Sequence, residues 1–95
     1  MPYAPLFSEE EIAERLRRVP EWTRDDTWIE RTYEFPTFRD AITFVGRLAD
    51  AAEAADHHPN IDIRWKKVRL RLTTHAAKGL TFRDFDLAEQ LDALA

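Results

Sequence analysis

Two stretches in which apolar and polar side chains alternate constrain the fold more than any other feature, and they lie close together in the chain. Apolar side chains occupy every second position in residues 61–65 and again from residue 68 onward. A period of two is typical of strands that bury one face. A two-residue loop at Lys66-Lys67 joins the runs as a hairpin, with Trp65 extending the buried face into the core. The predicted pairs are Trp65 with Val68, Ile63 with Leu70, Ile61 with Leu72, and Asp62 with Arg71.

The same register has a consequence for two histidines that are distant in the chain. Continued beyond the first strand, it sets His58 opposite His75 on the face away from the apolar side chains. Pro59 weakens this pairing because proline cannot donate a hydrogen bond to a strand ladder. The register nevertheless predicts that the two histidines converge.

A second strand pair is predicted in residues 22–35, which are rich in aromatic and β-branched side chains, with a turn at Asp25-Asp26. Its second strand is imperfectly patterned, because Arg31 falls on the apolar face. That strand therefore either exposes both faces or contains a bulge. The apolar face carries Ile29, Tyr33 and Phe35.

Three helices surround these strand pairs. The first opens at Ser8, which forms a capping box with Glu11. The second covers residues 37–56 and the third begins at Thr81, and both open with Thr-Phe-Arg-Asp after a strand pair. We therefore predict one α+β domain over residues 1–95, in the order α-β-β-α-β-β-α. Its four-stranded antiparallel sheet has the three helices packed on one face.

The long second helix carries two apolar stripes, although one is enough to cover a sheet. Two explanations stay open: the extra surface is buried against another subunit, or the first helix covers it. One stripe comprises Phe38, Ile42, Val45, Ala49 and Ala52, and the other Ala41, Phe44, Leu48, Ala51 and Ala55.

Composition excludes several classes of function. The chain has no cysteine, so it has no disulfide and no thiolate metal site, as expected in the reducing cytoplasm. Its net charge is −4 and basic residues interleave with acids, which argues against nucleic acid as a direct partner. No apolar run approaches the length of a membrane span, and the N-terminus has no signal-peptide pattern. Glycine-rich phosphate loops and the Gly-x-Ser-x-Gly nucleophile motif are absent.

All three histidines, His57, His58 and His75, lie in one short segment. Histidine titrates near neutral pH, so the cluster indicates proton transfer or metal binding. His57 follows a helix end and the carboxylates Glu53 and Asp56, a setting that suits a general acid. Adjacent histidines rarely face one metal ion and no His-x-x-x-His spacing occurs, so we expect no metal. The residues predict an acid–base site but define no substrate.

Seven residues in and around the histidine segment have fixed spacing: Glu53, His57-His58-Pro59, Trp65, His75 and Asp84. This pattern resembles the signature of the pterin-4a-carbinolamine dehydratases. This family is also known as the dimerisation cofactor of a homeodomain transcription factor. The resemblance covers nearly the whole chain. Further matches are Trp22, Phe35, Phe38, Thr73-Thr74 and Gly79-Leu80.

The resemblance implies a hydro-lyase that converts 4a-hydroxytetrahydropterin to quinonoid dihydropterin and water. This reaction recycles the cofactor of aromatic amino acid hydroxylases and needs neither a metal nor an organic cofactor. His58 and His75 are then expected to flank the pterin, with His57 nearest the leaving hydroxyl. The catalytic residues implied are His57, His58 and His75, and the substrate-binding or orienting residues are Glu53, Asp56, Thr73, Thr74, Asp84 and Trp22.

The family also implies a homodimer or homotetramer that joins sheets and packs the long helices. Two alternatives to the dehydratase remain at this point. One is a protein-interaction module of the transcription-factor cofactor type, and the other is action on a different pterin, such as one related to the molybdenum cofactor. The residues do not decide which histidine is the acid and which the base.

Overall fold

Four antiparallel strands form one sheet in the computed structural model, which describes residues 4–95. Their spatial order is β1-β2-β4-β3, so β1 and β3 are the edges. The predicted four-stranded sheet is confirmed. The strands are β1 (Thr23–Asp25), β2 (Trp28–Glu34), β3 (Asn60–Arg64) and β4 (Lys67–Leu72).

Three α-helices complete the predicted order α-β-β-α-β-β-α, which is also confirmed. Within residues 4–95, no helix combines the length and apolar character needed to cross a membrane. The helices are α1 (Glu9–Leu16), α2 (Phe38–Ala55) and α3 (Phe82–Leu94), and a short 3-10 helix covers His75–Ala77.

Side-chain caps begin all three α-helices. Ser8 and Glu11 form the predicted capping box, with backbone to side-chain bonds of 2.8 and 3.1 Å. Thr37 caps α2 by accepting from the backbone N–H of Asp40. Thr81 caps α3 in a second complete box. These caps satisfy N–H groups that have no partner inside their helix, so the local sequence sets where each helix begins.

The core lies between the sheet and the helices, and α2 packs there beside α3. One stripe of α2 is buried, while Phe38 and Ile42 of the other stripe remain 51% and 42% exposed. The expectation that α1 covers this second stripe is therefore wrong. The largest fully buried side chains include Ile29, Leu48, Leu70, Leu72, Phe85, Leu87 and Leu91.

Arg31 lies on the apolar face of β2, and pairing with β4 is continuous from Ile29 to Glu34, without a bulge in that range. Its guanidinium lies 4.2 Å from the Tyr33 ring centroid and donates to Asp92 at 2.9 Å. Asp92 also accepts from the Tyr33 hydroxyl and from the Trp22 indole N–H. A charge is tolerated beside the core here because it is paired and hydrogen-bonded.

The predicted hairpin register is wrong by two residues. Ile61 pairs with Leu70 and Ile63 with Val68, and the loop consists of Trp65 and Lys66. A shift of two keeps every side chain on its predicted face, but Asp62 now faces Arg69 instead of Arg71. The pairing of His58 with His75 and the burial of Trp65 are wrong for the same reason. Trp65 occupies the loop with φ 58° and is 77% exposed.

The first hairpin turn also lies one residue later than predicted. Asp25 belongs to β1 and pairs with Trp28, which leaves Asp26 and Thr27 as the loop. Asp26 has φ 55°, a left-handed conformation that aspartate tolerates better than most residues. The consequence is that Trp28 begins β2 and lies on the outer face of the sheet, opposite to that of buried Ile29.

Candidate active site

One pocket of about 250 Å³ is bordered by all three histidines. It lies where the end of α2, the end of β4 and the start of α3 meet. The predicted convergence of His58 and His75 is thus present, although it arises from the loops after α2 and β4 and not from strand pairing. The residues lining the pocket are Asp56, His57, His58, Thr73, Thr74, His75, Ala76 and Arg83.

The end of α2 determines how the two adjacent histidines diverge. Asp56 adopts a left-handed conformation with φ 50°, and the backbone N–H of His57 donates to the carbonyl of Ala52 at 3.1 Å. This turn reverses the chain at the helix end, as left-handed C-caps commonly do. As a result the His57 side chain is buried and that of His58 is exposed.

His57 is held by a carboxylate from a different element. Its Nε2 lies 2.7 Å from Oδ1 of Asp84, which is fully buried at the start of α3. The other oxygen of Asp84 accepts from the Thr74 hydroxyl and from the backbone N–H of Thr81, both at 2.9 Å. Asp84 therefore caps α3 and holds His57 at the same time.

The hydrogen-bond directions around Asp84 follow from counting protons. Thr74 gives its only hydroxyl proton to the carboxylate, so the contact of 2.8 Å between the two threonine hydroxyls is donated by Thr81. Thr81 in turn accepts from the backbone N–H of Arg83 at 3.2 Å. Asp84 as a carboxylate thus receives three donors, which places a proton on His57 Nε2. Nδ1 is then the nitrogen of His57 available for proton exchange.

His58 has a different carboxylate partner. Its Nε2 lies 2.5 Å from Oε2 of Glu53, one turn back on α2. More than half of each side chain in this pair is exposed to solvent. An exposed pair of this kind orients the ring only weakly, because water screens the charges. That Glu53 orients a histidine or the pterin ring stays a prediction, and the contact with His58 is consistent with it.

His75 begins the short 3-10 helix, and its ring contacts Trp28. The ring centroids are 5.6 Å apart and the planes meet at 79°. Within residues 4–95, the His75 side chain forms no hydrogen bond and no ion pair. The loop that carries it is closed by Thr74, whose backbone N–H donates to the carbonyl of Gly79 at 3.1 Å.

Trp22 is not brought to this pocket. Its indole N–H donates to Asp92 at 2.9 Å, and its ring packs edge-on against Tyr33 in the core. The predicted role of Trp22 in binding the substrate therefore has no support from its position. The other predicted residues all line the pocket or contact a histidine that does so.

Arg83 lines the pocket, although in the sequence it stands out only as part of a repeated tetrapeptide. Its Nη1 is 3.4 Å from the backbone carbonyl of Asp56, so it links α3 to the end of α2. The sequence offered one indication that Arg83 lies near the site: it directly precedes Asp84 in the first turn of α3, and the start of this helix borders the pocket. Among residues 4–95, no three His, Cys, Asp or Glu side chains are arranged to hold a metal ion.

Comparison with known proteins identifies the family. A family model described as pterin 4 alpha carbinolamine dehydratase matches residues 5–94. The chain belongs to this family. Its membership confirms the resemblance seen in the sequence and, with the names of the relatives, supports pterin-4a-carbinolamine dehydratase activity.

Several members of the family are similar over almost their whole length. A protein of Roseiflexus sp. (strain RS-1), provisionally named a pterin-4-alpha-carbinolamine dehydratase, is 54% identical over 91 residues, covering 96% of this chain and 98% of its own. One of Nocardia farcinica with the same provisional name is 53% identical over 90 residues, covering 95% of each chain. The crystal structure of a transcriptional coactivator/pterin dehydratase from Brucella melitensis aligns with TM-score 0.90 and 32% identity, covering 94% of this chain and 97% of that chain.

Proposed function

We propose that the chain dehydrates a 4a-hydroxytetrahydropterin to the quinonoid dihydropterin and that its histidines act as general acid and base. The observation that carries this proposal is the meeting of three histidines at one pocket, with His57 held by a buried carboxylate. Family membership supplies the substrate class.

The reaction needs two proton transfers and no redox step. The bond between C4a and the hydroxyl oxygen breaks, and the departing oxygen takes a proton and leaves as water. The proton on N5 goes to a base, and the electron pair of the N–H bond forms the N5=C4a double bond. Positioned groups that titrate near neutral pH serve both transfers.

His57 is the proposed proton donor to the leaving hydroxyl, through Nδ1. Asp84 holds Nε2–H, fixes the ring orientation and stabilises the imidazolium form, as a buried carboxylate does for a catalytic histidine in other enzymes. His58 and His75 flank the ring in this proposal, and one of them takes the N5 proton. Glu53 steadies His58, although weakly, because the pair is exposed.

The segment that follows β4, Thr73-Thr74, is proposed to contact the pterin, but the hydrogen bonds of Thr74 restrict how it can do so. The backbone N–H of Thr74 already donates to Gly79, and its hydroxyl donates to Asp84. Thr74 therefore has no donor left for the substrate and acts through Asp84. Thr73 and Asp56 line the pocket and are the proposed contacts beside the histidines.

We also propose that the chain forms a homo-oligomer. Phe38 and Ile42 on α2 are exposed, and so are Ile61 and Ile63 on the edge strand β3. Exposed apolar side chains on a helix and a free strand edge are typical of contact surfaces between subunits. The same surface fits the alternative of a protein-interaction module, but the relatives are named for the dehydratase. The cytoplasmic location stays a prediction.

The direct test follows the decay of enzymatically generated 4a-hydroxytetrahydrobiopterin by ultraviolet absorbance, with and without the protein. We expect dehydration well above the spontaneous rate. A folded sample that gives no acceleration contradicts the proposal for this substrate. A parallel assay with a pterin related to the molybdenum cofactor then distinguishes the second pterin class from loss of all dehydratase activity.

A further inference from the structure

The three histidines of the pocket are held by different kinds of partner. His57 contacts a buried carboxylate and His58 an exposed one, whereas His75 contacts an indole ring. A carboxylate partner occupies one ring nitrogen. The indole offers no acceptor oxygen, and neither ring nitrogen of His75 forms a hydrogen bond within residues 4–95. His75 is therefore oriented without being committed to one tautomer.

Trp28 reaches His75 because of where the two elements end. Trp28 is the first residue of β2, and the next pair along the sheet, Ile29 with Leu72, places it beside the end of β4. Thr73 follows β4 directly and donates its hydroxyl to the carbonyl of Thr27 at 2.5 Å. This bond fastens the start of β2 to the segment that carries His75.

The indole also contacts a cation. The guanidinium carbon of Arg71 lies 4.7 Å from the Trp28 ring centroid, within the range of a cation–π contact. Arg71 is fixed by two carboxylates, since its Nη2 lies 2.8 Å from Asp25 and its Nε 3.0 Å from Glu30. A series of contacts thus runs from Asp25 and Glu30 through Arg71 and Trp28 to His75.

Core packing does not account for this tryptophan. Trp28 is half-buried on the outer face of the sheet, and it is not part of the apolar cluster between the sheet and the helices. Within residues 4–95, its contacts with cations and aromatic rings are those with Arg71 and His75. A large aromatic side chain that makes these contacts outside the core is explained by what it orients.

From this series of contacts we infer that Trp28 is a positioning residue for His75. The indole keeps the imidazole facing the pocket with both ring nitrogens free of hydrogen bonds. In the proposed dehydratase reaction, on which this inference rests for its functional meaning, such a ring can take a proton at one nitrogen and release it from the other. Misplacement of a reacting group by about 1 Å can cost a factor of about 100 in rate. Loss of the indole is therefore expected to lower turnover more than substrate binding.

The test compares Trp28→Leu with Trp28→Phe by NMR of the imidazole protons, assigned by the signals that disappear in His75→Gln. In the folded wild type, the indole ring current displaces the His75 signals. We expect Trp28→Leu to return them toward the position of a free histidine, and Trp28→Phe to retain a displacement of the same direction. The signals of His57 and His58 are expected to stay in place. Trp65→Leu, which removes the exposed tryptophan of the other hairpin, is the matched control and is expected to move none of them.

Kinetics of the same proteins provide the second readout. Trp28→Leu is expected to lower kcat by about 10-fold or more with a smaller change in KM, and Trp28→Phe to recover most of it. His75 signals that are unchanged in Trp28→Leu would overturn the inference, and so would equal activity of the Leu and Phe variants when the wild type is active. The NMR comparison needs no turnover, so a wild type that lacks dehydratase activity refutes the proposed function and leaves the positioning of His75 to be decided by the spectra.

Discussion

At the scale of single residues, Asp84 joins folding and chemistry. Its carboxylate caps α3 through the backbone N–H of Thr81 and also holds His57. Each of the three hydrogen bonds to this buried side chain replaces contacts with water that are lost on burial. The position of the catalytic ring therefore depends on the same atoms that start the last helix.

We predict that Asp84→Asn folds but loses most activity. Asparagine keeps the shape and one acceptor oxygen for the cap, but its amide cannot stabilise an imidazolium. Turnover is expected to fall about 100-fold, and the free energy of unfolding by about 2 kcal/mol. Pterin dehydration assays and urea titrations measure the two effects. Asp50→Asn, on the exposed face of α2, is the matched control, and wild-type turnover in Asp84→Asn would refute the role of the carboxylate.

How far the sequence predicts this site depends on how local each contact is. The histidines are found because they are close in the chain, and the Thr81-Asp84 cap because its spacing is a helix-start signal. The packing of Trp28 on His75 joins residues that are distant in the chain, and no local pattern marks it. The helix cap is a sufficient reason for an aspartate at position 84. A contact between Asp84 and His57 is therefore suggested only by the family resemblance and seen only in the fold.

At the scale of elements, loops determine which residues meet. The helices and strands were predicted from periodicity, and all are present. The register of the second hairpin was not predictable, because the alternation in residues 61–65 and after residue 68 is satisfied equally by shifts of two. The observed register requires Trp65 to adopt a left-handed conformation. This conformation is unfavourable for a large side chain and is not suggested by local propensity.

A cluster around Asp92 fastens α3 to the sheet, and it predicts a pH effect. Burial, and after it the neighbouring carboxylate of Asp92, raises the pKa of Tyr33 above its ordinary value. An unfolded tyrosine loses its proton near about pH 10, while the folded one keeps it. The unfolded state then binds fewer protons, so the stability that is present below this pH is lost as the pH rises.

We therefore expect the free energy of unfolding to fall more steeply for the wild type than for Tyr33→Phe between about pH 9 and 11. The extra slope approaches about 1.4 kcal/mol per pH unit, the value for one proton. Urea titrations across this range measure it, and the other basic and tyrosine groups cancel in the comparison. Parallel curves for the two proteins would show that Tyr33 ionises equally in both states.

For the molecule as a whole, the two stripes of α2 belong to different surfaces. One stripe packs in the monomer core, and the exposed one forms the proposed subunit contact. Phe44 is 3% exposed and contacts Tyr33 and Phe35, whereas Ile42, two residues earlier, is 42% exposed. Neighbouring positions on one helix thus test two different surfaces. This distinction was not available from the sequence, where both stripes are equally apolar.

Ile42→Glu is predicted to yield a folded protein of smaller assembly size than the wild type. Phe44→Glu is predicted to unfold, because replacing a buried phenylalanine costs about 3–5 kcal/mol and total stability is only about 5–15 kcal/mol. Sedimentation velocity gives the assembly size and circular dichroism the folding. A wild type that sediments as a monomer, or an Ile42→Glu assembly of unchanged size, would contradict the proposed contact.

The proposed function requires that the pocket histidines catalyse dehydration of the pterin. The most direct measurement is the dehydration rate of 4a-hydroxytetrahydrobiopterin at saturating substrate, for the wild type and for His57→Ala, His58→Ala and His75→Ala. Each substitution is expected to lower the rate at least about 100-fold, the usual contribution of a positioned acid or base. Wild-type rates in all three folded variants would contradict it.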